Sequence, residues 1–471
     1  MKNLPVENIS KLLIVRPDAI GDMILTLPAI KAIKEALPNI SITVLASPIN
    51  SQLIEHLPYI DDVIIDKKVT SLFGFFRYVK WIKSFGFDCA VHYYSESKTC
   101  WGAYFAGIKY NLGDKAKLGL WPVLRKYGLF YRSFDQPKHV VHYNFMLAES
   151  LGIRFKDDVS LTIPVPKEGK EKAEKLLQKL GRKTIRPIVG IHLGVGGGNR
   201  PLTPEKYASY INELSKELDC DIVITGHTEK EKEYRTAIKR LVKRSLLDCV
   251  GKTDLKTLAG VLSLLDVYVG VDTGPSHLAS ALERPQLAIF PSKRVKPLSW
   301  GPLNNRHFLI RNVVNCDHFC PHEHCPYTVC SDDISATDMV SKTIKLLNGE
   351  GVCAYSEQKV EWFKASLTIC VVFDDESQSI GFDSRAHLNK MGFVVHSRHI
   401  TSDSLFDLVT KHDVSILHNV TGKYAKRLWI LSQRANPKLH NPPLVTHGDI
   451  LELSAVDIVK KYCNDFQDKR L

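Results

Sequence analysis

The 471-residue chain has no run of apolar residues long enough to cross a bilayer as a helix, which takes about 18. LLIV at Leu12–Val15 is too short for the apolar stretch of a signal peptide and reads as a strand, so a cytoplasmic location is expected. The chain contains neither a P-loop, GxxxxGK followed by Ser or Thr, nor the dinucleotide fingerprint GxGxxG. A phosphate must therefore be held in some other way. Low-complexity segments and short-period repeats are absent. The 11 cysteines in so long a chain do not form a secreted disulfide framework. No nucleic-acid-binding module is recognisable, so nucleic acid is not an expected partner.

A positive charge excess is present, and it is unevenly placed. The formal net charge is +12, yet from Gly351 onward 15 Lys and Arg face 14 Asp and Glu. A basic body with a near-neutral appendage suits an acidic partner at the body. Short apolar runs alternate with helical patterns throughout, the signature of parallel βαβ units and an α/β fold. Strands are expected at Lys11–Arg16, Ser41–Ser47, Val63–Asp66 and Asp88–Tyr94, then at Pro187–Gly194, Asp221–Gly226, Asp266–Asp272 and Gln286–Phe290. Four more follow on a smaller scale from about Ser356. The expected domains are 1–165, 185–348 and a small α/β block at 356–471. A helix is expected from about Met23 to Leu37, with Pro28 forcing a kink or a later start.

Three turns after strands carry candidate chemistry, because ligands of doubly wound sheets sit beyond strand C-termini, at helix N-termini. Asp22, after Gly21, is either a general base on an acceptor hydroxyl or a helix cap. Asp272-Thr273-Gly274-Pro275-Ser276-His277 can hold a diphosphate through the N–H groups of Gly274, Ser276 and His277 and the Thr273 and Ser276 hydroxyls. Pro275 suits the first helical position, and the alternative is an ordinary βα turn. Between them lies His192-Leu193-Gly194-Val195-Gly196-Gly197-Gly198-Asn199-Arg200. Its glycines permit close backbone approach, and Arg200 can fork onto phosphate oxygens.

IVRPDAIGDMILTLPAIKAIKEALP, GVGGGNRPLTPEKYASYI and VGVDTGPSHLASALERPQLAIF, in that order, resemble glycosyltransferase family 9, the ADP-heptose:lipopolysaccharide heptosyltransferases. The resemblance spans about residues 10–348, with weaker agreement at Asp88 and at His139-Val140. It implies a GT-B fold, two Rossmann-like domains facing a cleft, and an inverting transfer that requires no metal. Carried over, it makes Asp22 the base, and it places Arg200 on the donor diphosphate, Asp272 on donor-sugar hydroxyls and Thr273, Gly274, Ser276 and His277 on the phosphates. Glu229 is the candidate for ribose hydroxyls, with Glu231 a close alternative. The implied partners are an ADP-sugar and an anionic glycolipid acceptor, with peripheral contact at the cytoplasmic face of the inner membrane. A different nucleotide sugar, or a non-catalytic binding protein of the same fold, are the rival expectations. The chain departs from the family at Pro201-Leu202-Thr203-Pro204, where an aromatic step is usual, and in the block after Ser356.

Three further features stand out. Lys115, Lys117, Arg125 and Lys126 lie in a basic stretch interleaved with aromatics, suited to an acidic acceptor or simply to solvent. FGFFRYVKWIKSF, Phe73–Phe85, is either a helix packed on the sheet or a membrane-surface helix. Cys316, Cys320, Cys325 and Cys330 could build a structural zinc site, or remain reduced thiols.

Overall fold

The computed structural model describes residues 4–114, 119–124, 139–153, 161–182, 186–194, 201–291, 295, 297–303, 306–311 and 334–351. It also gives the backbone of four strands beyond them. The chain forms two compact units, Met1–Asn312 with Pro321–Tyr355, and Val313–Cys320 with Ser356–Leu471.

The first unit holds two parallel sheets. In chain order the first half runs β1 (Lys11–Arg16), α1 (Ile20–Ile24), α2 (Leu27–Ala36), β2 (Ser41–Ala46), α3 (Pro48–Ile54), β3 (Asp62–Ile65) and α4 (Leu72–Lys83). It continues with β4 (Cys89–His92), α5 (Ser97–Phe105), β5 (Tyr110–Gly113), α6 (Trp121–Leu124) and α7 (Val140–Glu149). The strand order is β3-β2-β1-β4-β5. The second half runs α8 (Lys167–Lys179), β6 (Ile188–His192), α9 (Pro204–Glu217), β7 (Asp221–Thr225), α10 (Glu229–Leu241) and β8 (Leu247–Asp248). Then come α11 (Leu255–Ser263), β9 (Val267–Val271), α12 (Gly274–Ala281), β10 (Gln286–Ile289), α13 (Pro297–Trp300), β11 (His307–Ile310) and α14 (Ala336–Leu347). Its order is β11-β10-β9-β6-β7-β8.

In both sheets the strand order reverses beside the first strand, between β1 and β4 and between β6 and β9. Those switch points open crevices at the strand C-termini, and that is where Asp22 and Asp272 follow their strands. Carboxylates fix the opposite ends. Asp88 Oδ2 accepts from the backbone N–H groups of Ser10 at 2.8 Å and Lys11 at 2.9 Å, tying the start of β4 to β1. Asp266 does the same for Ile188 at 2.7 Å at the start of β6. The matching devices explain why an aspartate precedes β4 and β9, and they give Asp88 a structural role.

The expected helix over Met23–Leu37 is two helices, because Pro28 lies in the first turn of α2 and cannot continue α1. The Leu25 carbonyl at this break accepts a 2.8 Å bond from Asn144 Nδ2 on α7. Leu202 is fully buried, and Thr203 caps α9 by accepting from Lys206 N at 3.3 Å. The Pro201–Pro204 departure is therefore a core contact followed by a helix start with Pro204 at its first position. Helix α8, rich in lysine and glutamate, buries only Gly169, Ala173 and Leu177, one stripe at four-residue spacing. That stripe meets α11 where a Cβ on Gly169 would stand 2.2 Å from the Lys256 carbonyl oxygen. On Gly260 it would stand 2.2 Å from the Gly169 oxygen, so the crossing is backbone on backbone.

The second unit contains a four-stranded parallel sheet in the order β13-β12-β14-β15: β12 (Thr368–Phe373), β13 (Val394–His399), β14 (Val414–His418) and β15 (Leu444–Thr446). Among the described residues no helix is long and apolar enough to cross a membrane.

Candidate active site

Strand β1 ends in Arg16, whose side chain is fully buried. A buried guanidinium needs partners on all its faces. Its Nη1 donates to the Tyr93 carbonyl at 2.7 Å, its Nη2 lies 2.6 Å from Asp22 Oδ1, and its Nε lies 3.3 Å from Asp18 Oδ1. The helix that follows begins after Ala19, which offers no side-chain cap. Asp22 is thus the third residue of α1, not its cap, and its carboxylate turns toward Arg16. With its side chain 21% exposed, it is held by an ion pair and still reachable from the cleft.

The second crevice is built by β9 and α12. Thr273 is the residue before the helix, Gly274 its first and Pro275 its second, one position later than expected. His277 is buried and Asp272 partly buried, and the two are joined, Nε2 to Oδ1, at 3.1 Å. The Ser276 and His277 N–H groups donate to the Thr273 carbonyl at 2.9 and 3.3 Å. They are spent inside the helix turn, which corrects the expectation that they face a phosphate. Gly274 keeps the N–H of the first helical position, a donor with no acceptor inside the helix. The Thr273 hydroxyl donates to Val271 O at 3.3 Å, and Ser276 is buried away from the cavity wall.

The two crevices are one space. A Cβ on Gly21 would lie 2.5 Å from His277 Cδ2, and one on Gly274 would lie 3.0 Å from Ile20 Cβ and 3.4 Å from the Gly21 nitrogen. The glycines exist because α1 and α12 meet end against end there. Around this meeting point opens a cavity of about 850 Å³, whose wall includes Asp22, Asp272, Gly274, His277, His192 and Glu231. Its size suits a nucleotide-sized ligand.

Glu231, not Glu229, forms the far wall. It completes a capping box on α10, its Oε2 accepting from His227 N at 2.7 Å and Thr228 N at 2.8 Å, and it is 5% exposed. The Glu229 side chain is 85% exposed and pairs with Lys232 at 2.7 Å on the outside of the helix. The capping box was legible in Thr228-x-x-Glu231. Beside Glu231, His192 is pushed down to about 4 by burial, against which the nearby Glu231 charge works. It shares a 3.0 Å contact between Nδ1 and the Thr225 hydroxyl. The sequence pattern gives Arg16 no role, and marks His139 only as a point of agreement with the family. His139 starts α7 and reaches the Gly301 carbonyl at 3.0 Å, linking the two halves near Trp300 on the cavity wall. Burial pushes its pKa down to about 3. Arg200, the basic residues Lys115, Lys117, Arg125 and Lys126, and the four cysteines lie outside the described residues.

The profile of glycosyltransferase family 9 (heptosyltransferase) matches residues 82–329. The chain belongs to glycosyltransferase family 9. A Haemophilus influenzae protein named as a glycosyltransferase is 31% identical over 306 residues, 63% of this chain and 86% of the relative. Lipooligosaccharide heptosyltransferase 2 of Campylobacter jejuni (serotype O:6) is 24% identical over 349 residues, 71% of this chain and 99% of that one. Two solved structures share the GT-B fold. A family 9 glycosyl transferase from Veillonella parvula has a TM-score of 0.62 at 18% identity, covering 72% of this chain and 98% of its own. The ADP-heptose lps heptosyltransferase II of E. coli has a TM-score of 0.60 at 19% identity, covering 72% and 99%. As a member of family 9 the protein is a glycosyltransferase of the heptosyltransferase group, which builds the lipopolysaccharide core.

Proposed function

We propose that the protein transfers a heptose, with inversion, from ADP-heptose to a lipopolysaccharide inner-core acceptor, with Asp22 as general base. The observation that carries this is Asp22 on the wall of the same cavity as the Asp272–His277 turn, one from each switch point. In the step, an acceptor hydroxyl gives its proton to the Asp22 carboxylate as its oxygen bonds to the anomeric carbon. The bond from that carbon to the β-phosphate oxygen breaks, and its electron pair leaves with ADP. Attack from the face opposite the leaving group inverts the centre. The N–H of Gly274 faces the charge that grows on ADP, and the family resemblance assigns Arg200 to the same diphosphate. Preorganised donors of this kind often supply the greater part of an enzyme's rate enhancement. Asp272, oriented by His277, accepts from donor-sugar hydroxyls, and Glu231 stands on the nucleoside side. An acceptor anchored in lipid also means that the enzyme works beside the cytoplasmic face of a bilayer.

The test is transfer from ADP-heptose to a heptose-deficient core, read by mass spectrometry, for wild type and Asp22→Asn. Addition of one heptose by the wild type alone, with ADP affinity kept in the variant, is the expected result. Saturable ADP binding without transfer to any acceptor would show a non-catalytic protein. Transfer from a different nucleotide sugar would reassign the donor and keep the base.

A further inference from the structure

Helix α4 buries only Tyr78 and Ile82 against the sheet. Its opposite side leaves Leu72 72%, Phe73 68% and Phe76 61% exposed, and the end of α5 adds Tyr104 at 50% and Phe105 at 57%. These residues form one surface. Phe76 touches Phe75 (centroids 6.5 Å), Phe75 meets Phe105 edge-on (6.2 Å), and Phe105 stacks on Trp101 and meets Tyr104 (both 5.5 Å). A continuous aromatic face of this kind is seldom left to water without a use.

We infer that this α4–α5 face docks on an anionic lipid bilayer. The charge around it selects the occupant. Along α4, Phe73, Phe76, Arg77, Lys80 and Lys83 follow one another at helical spacing, so the apolar stripe runs on into a cationic one, and the helix contains no acid. Arg77 lies over the Phe73 ring at 4.8 Å, keeping its guanidinium at the edge of the aromatic patch. From Lys67 to Lys109 there are seven Lys and Arg (Lys67, Lys68, Arg77, Lys80, Lys83, Lys98, Lys109) against Asp88 and Glu96. Asp88 is committed to Ser10 and Lys11, and Lys98 is paired with Asp66. What remains is an apolar and aromatic surface rimmed by cations, the arrangement that inserts rings at the headgroup level while lysines and arginines meet anionic lipid. A second copy of the chain fits less well, because a two-fold contact sets the same cationic patch against itself. The inference rests on the proposed function only for the presence of a lipid-anchored acceptor. The surface chemistry stands apart from it.

The test is co-sedimentation of the full-length protein with vesicles of phosphatidylethanolamine and phosphatidylglycerol, and with phosphatidylcholine alone, at low and high salt. Wild type is expected to bind the anionic vesicles, to bind phosphatidylcholine poorly, and to release with salt. Phe73→Ser/Phe76→Ser/Phe105→Ser and, separately, Arg77→Gln/Lys80→Gln/Lys83→Gln should each bind roughly tenfold more weakly or worse. Both should keep wild-type turnover on a delipidated, water-soluble acceptor, which also shows that they fold. Because vesicle binding needs neither sugar nor acceptor, it can succeed when transfer fails, and the reverse. Unchanged partitioning of both variants overturns the inference. A wild-type dimer in light scattering that the aromatic variant dissociates, without vesicle binding, assigns the face to a second copy instead.

Discussion

Arg16 and Asp22 form an ion pair of 2.6 Å in which the cation is buried and the carboxylate borders the cleft. The same guanidinium holds Asp18 and the Tyr93 carbonyl, so the turn between β1 and α1 is wound around one side chain. Arg16→Gln is expected to lower kcat at least tenfold with little change in the KM for the donor. Arg16→Lys recovers only part, since one ammonium cannot serve three acceptors in a fixed fork. Because Arg16 acts through Asp22, the double variant Arg16→Gln/Asp22→Asn should be no slower than Asp22→Asn alone. Additive losses in that cycle would contradict a positioning role. Stability also falls, since the Tyr93 carbonyl loses its buried donor at a cost of about 1–3 kcal/mol, and thermal melting separates that loss from the kinetic one.

Gly21→Ala places a methyl group where the His277 ring already is. Either the ring or the whole of α1 must give way, and both belong to the proposed site. A drop of roughly a hundredfold in kcat/KM is expected from a displacement on the order of 1 Å, with Tm lowered by only a few degrees. Wild-type kinetics in a folded Gly21→Ala would show that the helix ends do not need this separation.

Glu231→Gln and Glu229→Gln should differ sharply. The first replaces a carboxylate on the cavity wall by an amide that can still close the capping box, so stability should hold while ADP binding weakens in calorimetry. The second touches only an exposed ion pair with Lys232, and should leave both within error. The opposite ranking would return the ribose contact to Glu229.

Three histidines make the protein acid-sensitive above the carboxylate range. Burial pushes His92 and His192 down to about 4 and His139 to about 3, from an ordinary 6.5. The unfolded chain therefore takes up these protons first, and stability falls as the pH drops from about 6.5 toward 4. Below that range Asp88 adds its own loss. Burial raises its pKa, but the hydrogen bonds from Lys11 and Ser10 outweigh this and hold it low. Melting temperatures should decline steadily between pH 7 and 4, and a flat profile down to pH 5 would contradict the burial of these rings.

The parallel strands and the two glycine turns could be read directly, because buried central strands and βα turns leave contiguous marks. Strands β5, β8 and β11 could not. β8 has two residues, while β5 and β11 carry Asn111 and His307 inside four-residue runs. At the site, the turns name Asp22 and Asp272, which the fold brings to one cavity wall, and offer the Ser276 and His277 N–H groups to a ligand. The Thr273 carbonyl competes for them, and only the helix register decides that. Arg16 was hidden because a charged residue ending a strand usually points to solvent. Its burial depends on Tyr93, 77 residues further along.

The backbone contact between Gly169 and Gly260 has a mechanical consequence. It makes α8 part of the body formed by α11 and its sheet, although α8 precedes that sheet in the chain and the sequence left it between domains. Ile163 is fastened to the same body, its N–H donating to the Ala281 carbonyl at 3.0 Å. The half of the fold built on β6–β11 therefore begins, in its packing, at Ile163 and not at its first strand.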